Sequence, residues 1–317
     1  MDNMTLSPGG ESGPAKSKKV VVTGASGGTG RSIVAVLREQ GYQVRELDVE
    51  NRGVQGRDFD GYKQVDLRNA AHVNDAFAGA DYVVHFGSFP GDGHLAATDA
   101  WDNLMTAGFN VFNAARNCGI KRVCWASSIE IYGDISKHPS LPCTEESPLA
   151  PPSIYGGTKQ LLEQLAEQYH RWYGMSIAGF RLCRIVYDTK AGRDKLRQIV
   201  DNASGCGDCL WAYIDARDVG YACQRWLESD CLGAETFNIG ADNVHSVVPT
   251  SSLLERHGYA AQLAQPSDAT RRALAQEEGA CLFSSEKLKS MLGWHARYDY
   301  REILAAHPEE EEEQPRL

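Results

Sequence analysis

The 317-residue chain lacks the features of a membrane protein and of a nucleic-acid-binding protein. No segment comes near the roughly 18 uncharged apolar residues that a membrane-spanning helix needs. Its 32 lysines and arginines are outnumbered by 42 aspartates and glutamates, and the net charge of -10 argues against binding to a phosphate backbone. The first 19 residues contain no apolar signal segment. We therefore expect a cytoplasmic protein without a membrane or nucleic-acid partner.

Regular cysteine spacing is also absent. The nine cysteines form an odd set at irregular intervals, which is typical of reduced, mostly buried thiols and not of a disulfide framework. Cys206 and Cys209 form a C-x-x-C motif, but no second pair and no histidine stands at the spacing of a zinc site. We predict no metal site and interpret this motif as structural, with a thiol switch as the alternative.

The remaining sequence alternates short β-branched runs with longer helical segments, which is typical of a doubly wound parallel α/β sheet. Residues 1–18 and 306–317 are poor in apolar side chains, and we expect both tails to be disordered. A first helix is predicted at 30–40. The predicted strands are 19–23, 42–47, 82–86, 122–126, 177–183 and 235–239.

A glycine-rich loop, T-G-A-S-G-G-T-G, joins the first predicted strand to the first predicted helix. Backbone N–H groups at a helix start attract anions, and glycines let a pyrophosphate approach the backbone without a Cβ in the way. The loop therefore predicts a Rossmann-type dinucleotide site. The predicted cofactor contacts in this loop are Gly24, Gly27, Gly28, Thr29 and Gly30.

An acidic residue, Asp48, ends the second predicted strand. It lies at about the distance beyond the loop at which a carboxylate accepts hydrogen bonds from the adenosine ribose hydroxyls. A 2′-phosphate placed here would meet like charge, so NADP would need Arg45 or Arg52 to turn inward. The sequence therefore favours NAD over NADP as the cofactor.

A serine, a tyrosine and a lysine then follow in an order that suits hydride-transfer chemistry. The strand at 122–126 leads into Ser127 and Ser128, and Tyr155 and Lys159 stand four residues apart on one helix face. A lysine cation favours the phenolate form of a neighbouring tyrosine, which can exchange a proton with an alcohol, while a serine hydroxyl can hydrogen-bond the reacting oxygen. We predict Tyr155 and Lys159 as catalytic residues that also contact the cofactor.

Together these motifs resemble the extended short-chain dehydrogenase/reductase family and its NAD-dependent epimerase/dehydratase group. The likeness runs from Lys19 to Leu304 and also rests on A-S-S-I-E-I-Y-G, on Y-I-D-A-R-D-V around Asp218, on F-N-I-G and on L-G-W. It implies a Rossmann-type NAD-binding domain at 19–185, to which 214–240 return. It implies a small interleaved substrate-binding subdomain at 186–213 and 241–305.

The resemblance also implies roles for particular residues. The serine that acts in catalysis stands four residues before Tyr132, which is Ser128 and not Ser127. Asp66 and Leu67 are implied to contact adenine. Further implied contacts are Phe86 and Gly87 with the cofactor and Ser88 with the substrate.

Departures from the family pattern narrow the range of reactions that the chain is expected to catalyse. Relatives that eliminate water resemble S-T-D-E-V-Y-G here, and Ile129 replaces their acid, so the proton donor for elimination is missing. The stretch from Tyr187 to Leu210 is short, which leaves little room for a nucleotide-linked substrate. The compact form is similar to uronate dehydrogenases, whose substrates carry one carboxylate. Arg184 or Arg193 could bind such an acid, with a structural salt bridge as the alternative for each.

Glu130 matches a second carboxylate of the water-eliminating relatives, so it could face the substrate, with a structural role as the alternative.

We expect an NAD-dependent oxidoreductase that transfers hydride to or from a secondary alcohol, hemiacetal or ketone of a small polyhydroxy or carboxylated substrate. The alternatives are a sugar or sugar-nucleotide epimerase that retains NAD, and a non-catalytic dinucleotide-sensing protein. The resemblance implies a homodimer through helices at 102–118 and 153–173, although the apolar face of the second could equally belong to the core.

Overall fold

The computed structural model describes residues 17–50, 61–89, 96–201, 209–259, 266, 268–275 and 279–305. Most of the two predicted tails, together with Arg52 and Cys206, lies outside these residues. Of the helices in the described part of the chain, none is both long enough and apolar enough to cross a membrane.

A seven-stranded parallel sheet forms the centre of the molecule, in the strand order β3-β2-β1-β4-β5-β6-β9. Its strands are β1 (Lys19–Thr23), β2 (Gln43–Asp48), β3 (Tyr62–Gln64), β4 (Tyr82–His85), β5 (Arg122–Ser128), β6 (Ser176–Leu182) and β9 (Ala234–Ile239). All seven residues of β6 are buried, as expected for a parallel strand covered on both faces. The chain reverses its winding between β1 and β4, which opens a crevice at their carboxyl ends.

Helices cover both faces of this sheet, because alternate residues of each strand point to opposite sides. Val20 and Val22 pack against α1 (Gly28–Glu39) and α7 (Ala216–Glu228), whereas Val21 packs on the other face. Burying such a side chain contributes about 1.5–3 kcal/mol. The helices of the second face are α2 (Ala70–Phe77), α4 (Ala107–Asn117) and α5 (Ile154–Tyr173). This arrangement confirms the predicted Rossmann-type doubly wound fold.

The helical segment predicted at 102–118 begins earlier in the structure. Helix α3 (Ala97–Trp101) continues through a π-helical turn (Asp102–Thr106) directly into α4. On α5, Leu162 and Ala166 belong to the core, whereas Leu161 is exposed. Only part of the apolar face of α5 is therefore core.

A second, two-stranded parallel sheet is formed by β7 (Arg184–Val186) and β8 (Tyr213–Asp215), in the part of the chain predicted to bind the substrate. The remaining helices are α6 (Lys190–Asp201), α8 (Thr250–Arg256), α9 (Asp268–Leu274), α10 (Glu286–Leu292) and α11 (Tyr300–Ala305). Three strands, β3, β7 and β8, were missed by the sequence analysis because three residues are too few to show a periodic pattern. The predicted domain boundaries stay a prediction.

Candidate active site

The glycine loop lies in the turn between β1 and α1, and its glycines serve different purposes. Gly24 has a left-handed backbone, with φ of 69°, and a Cβ there would lie 2.4 Å from the carbonyl oxygen of Phe86. A Cβ on Gly30 would lie 2.0 Å from the carbonyl oxygen of Gly24, so α1 can start this close to the strand only with glycine. A Cβ on Gly27 would meet nothing nearer than 3.4 Å. The backbone at Gly27 is therefore open to a phosphate group.

A cavity of about 630 Å³ opens beside this loop, at the carboxyl edge of the sheet. Its volume lies within the range of small-molecule sites. The cavity is lined by most of the residues for which we predicted cofactor contacts. These are Gly24, Gly27, Asp48, Asp66, Leu67, Phe86 and Gly87, joined by Ser88. The fold therefore brings together residues that are up to 64 positions apart, as in the bond from the Gly87 backbone N–H to Thr23 Oγ1.

The carboxylate of Asp48 is held in a fixed orientation at the edge of this cavity. Its Oδ2 accepts a hydrogen bond from the Ser26 backbone N–H at 2.8 Å, and its Oδ1 accepts one from Val49 at 2.7 Å. Arg45 is buried and its guanidinium donates to the carbonyl oxygens of Ala76 and Ala78. Arg45 is therefore committed to the core and does not reach a 2′-phosphate beside Asp48.

The far end of the cavity contains a feature that the sequence analysis missed. Arg68 lines the cavity and pairs with Asp66 at 2.7 Å, and this hydrogen-bonded cation lowers the pKa of the Asp66 carboxyl. The amide of Asn110 on α4 donates to the carbonyl oxygens of Leu67 and Arg68 at 2.9 and 3.0 Å. Asn110 thus fixes the segment implied to contact adenine. A buried asparagine far along the chain offered no local pattern by which to find it.

Gly28 and Thr29 lie on the other side of the loop. A Cβ on Gly28 would lie 2.7 Å from the ring of Tyr187, and the hydroxyl of Tyr187 lies 3.1 Å from Thr29 Oγ1. Gly28 and Tyr187 line a separate cleft of about 800 Å³. The predicted contacts of Gly28 and Thr29 with a cofactor stay a prediction, and Tyr187 is an additional neighbour of the loop.

Lys159 is buried between the cavity and the predicted catalytic tyrosine. Its Nζ donates to the carbonyl oxygen of Ala126 at 2.7 Å and to Ser88 Oγ at 3.2 Å, and lies 5.3 Å from the ring centre of Tyr155. Burial lowers the pKa of Lys159 from 10.5 to about 7, and the negative charge of Glu163 opposes this shift. The charge on Lys159 is therefore sensitive to small changes around it.

The two serines at the end of β5 have different surroundings. Ser127 is buried, and its hydroxyl donates to Glu163 Oε1 at 2.7 Å. Ser128 is half-buried, and its Oγ accepts a hydrogen bond from the Glu130 backbone N–H at 3.1 Å, so its own hydrogen can still be donated. These positions suit a structural role for Ser127 and leave Ser128 as the predicted catalytic serine.

A buried ion pair behind the catalytic residues was also missed. Glu163 stands one helical turn after Lys159 and accepts two hydrogen bonds from Arg181, at 3.0 and 2.7 Å. Arg181 also donates to the hydroxyl of Tyr132 at 2.9 Å. With the Ser127 bond, this network joins α5, β5 and β6, the three elements that carry the site. Glu163 could have been found from the sequence, because its spacing from Lys159 places the two residues on one helix face.

Glu130 supports the start of the catalytic helix. Its carboxylate accepts a hydrogen bond from the hydroxyl of Ser153, the N-cap residue of α5, whose Oγ accepts one from the Gly156 backbone N–H at 3.0 Å. These bonds hold the first turn of α5, which contains Tyr155. They agree with the structural alternative for Glu130, whose contact with the substrate stays a prediction.

The two candidate arginines differ in their partners. Arg193 is buried and pairs with Asp188 at 2.6 Å, which agrees with the structural alternative for this residue. Arg184 lies two residues beyond Leu182, which pairs in register with Ser128. Its Nη2 lies 3.9 Å from the sulfur of Cys209. Register thus places Arg184 near the predicted catalytic serine, at the carboxyl edge of the sheet.

Comparison with known proteins identifies the family. The model of the NAD-dependent epimerase/dehydratase family matches residues 20–240. The chain belongs to this family. Similar proteins include a UDP-glucose 4-epimerase of Cyamopsis tetragonoloba, 24% identical over 91% of this chain and 93% of its own length. A uronate dehydrogenase of Pseudomonas syringae pv. tomato is 27% identical over 52% of this chain and 58% of its own length.

Among solved structures, a short-chain dehydrogenase/reductase superfamily protein from Agrobacterium tumefaciens with bound NAD is similar, with a TM-score of 0.68 and 23% identity. The match covers 91% of this chain and 95% of that one. As a member of the epimerase/dehydratase family, the chain is an NAD-dependent enzyme that is either an oxidoreductase or an epimerase.

The residues present fit NAD. The open backbone at Gly27 suits the pyrophosphate, and the fixed Asp48 carboxylate suits ribose hydroxyls. When bound, NAD supplies the hydride acceptor for an alcohol or, in its reduced form, the donor for a ketone. The predicted catalytic residues would supply the proton transfer, through the phenol of Tyr155, the amino group of Lys159 and the hydroxyl of Ser128.

Proposed function

We propose that the chain is an NAD-dependent dehydrogenase of a small polyhydroxy or carboxylated substrate, acting on a secondary alcohol or hemiacetal. The observation that carries this proposal is the position of Arg184. Arg184 follows Leu182 by two residues, and Leu182 pairs in register with Ser128, so the backbone of Arg184 lies near the predicted catalytic serine. One guanidinium suits a single carboxylate, since Arg binds carboxylates through paired N–H groups.

The roles of the other residues follow from their contacts. Ser128 donates its hydroxyl hydrogen to the reacting oxygen, and Tyr155 takes the alcohol proton. Lys159 stabilises the phenolate of Tyr155, and the bonds of Lys159 to Ala126 and Ser88 fix its ammonium group for this purpose.

The direct test is a panel of free sugars, uronic acids and small hydroxy acids, each incubated with NAD and the enzyme. We expect at least one uronic or hydroxy acid to give a steady rise in absorbance at the reduced-nicotinamide band. The proposal is wrong if no panel member reduces NAD while NAD itself binds.

An epimerase is the second candidate, favoured by the similarity to a UDP-glucose 4-epimerase along 91% of this chain. An epimerase interconverts two sugars without net reduction of NAD. Chromatography of UDP-glucose after incubation separates the two candidates, because only an epimerase yields the 4-epimer with unchanged absorbance. A non-catalytic sensing protein would bind NAD and do neither.

We also propose that the protein forms a homodimer through α4 and α5. Phe109 on α4 and Leu161 and Trp172 on α5 are 46%, 41% and 59% exposed, and apolar side chains grouped on two neighbouring helices are typical of an interface. Light scattering should give the mass of a dimer, and Leu161→Glu should give a monomer. A monomeric wild-type protein would rule the proposal out.

A further inference from the structure

A pair of thiols lies on the substrate side of the sheet, in residues that the proposed reaction does not use. Cys183 follows the last residue of β6, and Cys281 lies in the segment before α10. A Cβ added to Gly240 would lie 3.1 Å from Cys183 Sγ and 3.4 Å from Cys281 Sγ. Each of the two thiols shifts the pKa of the other, as expected for neighbouring sulfur groups. The missing side chain of Gly240 therefore leaves the space in which the two sulfur atoms meet.

Backbone hydrogen bonds hold both cysteines beside Gly240. The N–H of Cys183 donates to the carbonyl oxygen of Ile239 at 3.1 Å, and the N–H of Cys281 donates to that of Asp242 at 3.0 Å. These two acceptors stand on either side of Gly240 in the chain. Backbone bonds thus hold Cys183 at the end of β6 and Cys281 in the segment before α10 on the two sides of Gly240.

The two cysteine residues differ in their exposure. Cys183 is 4% exposed, whereas Cys281 is partly exposed and lines a cleft of about 340 Å³. In this cleft Asp242 and Lys289 pair with each other at 2.7 Å. The neighbouring Cys183 thiol lowers the pKa of Cys281, while the Cys281 thiol and burial raise the pKa of Cys183. Because the thiolate is the reactive form, an oxidant attacks first at Cys281.

We propose that Cys183 and Cys281 form a redox-active pair that reduces a hydroperoxide and closes to a disulfide. The Cys281 thiolate attacks one oxygen of hydrogen peroxide and breaks the O–O bond, giving a sulfenic acid. The other oxygen leaves as hydroxide and takes a proton to form water. The sulfur of Cys183 then loses its proton and attacks the sulfenic sulfur, forming the S–S bond and releasing a second water. Two thiols are oxidised, and one peroxide is reduced to two waters.

Closure of this disulfide acts on the substrate side of the enzyme. Cys183 directly precedes Arg184, and Leu182 before it pairs with Ser128. A covalent bond from Cys183 to Cys281 pulls on the segment that positions Arg184. This consequence rests on the proposed function, whereas formation of the disulfide does not.

The first experiment maps the disulfide in the full-length protein. The protein is treated with hydrogen peroxide, alkylated under denaturing conditions, digested and analysed by mass spectrometry. We expect a Cys183–Cys281 link that dithiothreitol reverses. Cys124 and Cys223 provide a matched control: burial and the neighbouring Cys124 raise the pKa of Cys223, but both residues are 0% exposed, and they should stay reduced. Equal oxidation of both pairs, or oxidised Cys281 beside a free Cys183 thiol, overturns the proposal.

The second experiment measures the kinetic consequence. With a substrate found by the panel, oxidation of the wild-type protein should raise KM at least about fivefold and leave NAD affinity unchanged, since a displaced binding group weakens substrate positioning. Cys281→Ser should abolish this response, and Cys231→Ser, which is not part of the pair, should keep it. An unchanged KM in the oxidised protein refutes the effect on Arg184. If the reduced protein turns over no substrate, the proposed function fails, and the mapping experiment still decides the disulfide.

Discussion

The part of the molecule predicted to bind the cofactor and the part predicted to bind the substrate, called here the cofactor side and the substrate side, are built from different kinds of sequence. On the cofactor side, Gly24 and Gly27 of the glycine loop and acids at or just after strand ends line one cavity of about 630 Å³. On the substrate side, Arg184, Cys209 and Cys281 come from distant segments around a two-stranded sheet. The first side uses local motifs that many sequences share. The second depends on long-range packing, which is why its ligand is the harder one to infer.

The largest expected effect concerns Tyr155, the predicted catalytic residue. Tyr155→Phe removes the hydroxyl that exchanges the proton, so kcat should fall at least about a hundredfold. NAD affinity, measured by calorimetry, should change little. Tyr173→Phe, at the exposed end of the same helix, serves as the control and should keep wild-type kcat. Activity retained in Tyr155→Phe would remove this residue from the mechanism.

A variant confined to the cofactor side should change NAD binding. Asp48→Asn keeps the shape of the side chain but removes its charge, and the dissociation constant for NAD should rise about tenfold or more, since hydrogen bonds to a charged group contribute roughly 1.5–3 kcal/mol. Glu50→Gln, in the same cavity, is the control and should bind NAD as the wild type does. Tighter binding of NADP than of NAD by the wild-type protein would contradict this reading of Asp48.

A variant confined to the substrate side should change KM and not NAD affinity. Arg184→Met should raise KM for a carboxylated substrate about tenfold, because a charge-assisted contact is lost, and should leave a neutral sugar unaffected. Arg193→Met instead leaves the charge of Asp188 without its 2.6 Å partner and should lower the melting temperature. Equal effects of Arg184→Met on acidic and neutral substrates would show that Arg184 binds no carboxylate.

The smallest expected effect is a change in pH dependence. Glu163 raises the pKa of Lys159, so Glu163→Gln should make Lys159 lose its proton at lower pH. The alkaline decline of kcat/KM should move to lower pH, with activity at pH 8 about three- to tenfold below wild type. Tyr132→Phe removes a bond to Arg181 but keeps the charge of Glu163, so it should leave the pH profile in place. An identical pH profile in Glu163→Gln and the wild type would refute the effect of the Glu163 charge on Lys159.

Most of the fold could be predicted from the sequence because fully buried parallel strands appear as short apolar runs. The first strand was predicted with its observed ends, and the others within about two residues. The glycine loop and Asp48 were recognisable since each acts through its position in a local motif. Asn110 and Arg181 were not, because their partners lie on other elements and no spacing marks them. Arg45 shows the same limit, since only its packing reveals that it belongs to the core.

Tyr187 links the two sides of the molecule over a short length of chain. It stands three residues after Arg184, and it contacts Gly28 and Thr29 of the glycine loop. A shift of the glycine loop on nucleotide binding would therefore displace Tyr187 and, through it, the strand that begins at Arg184. Thermodynamic linkage then requires that the effect be reciprocal. If bound NAD changes the affinity for the substrate by some factor, the bound substrate changes the affinity for NAD by the same factor.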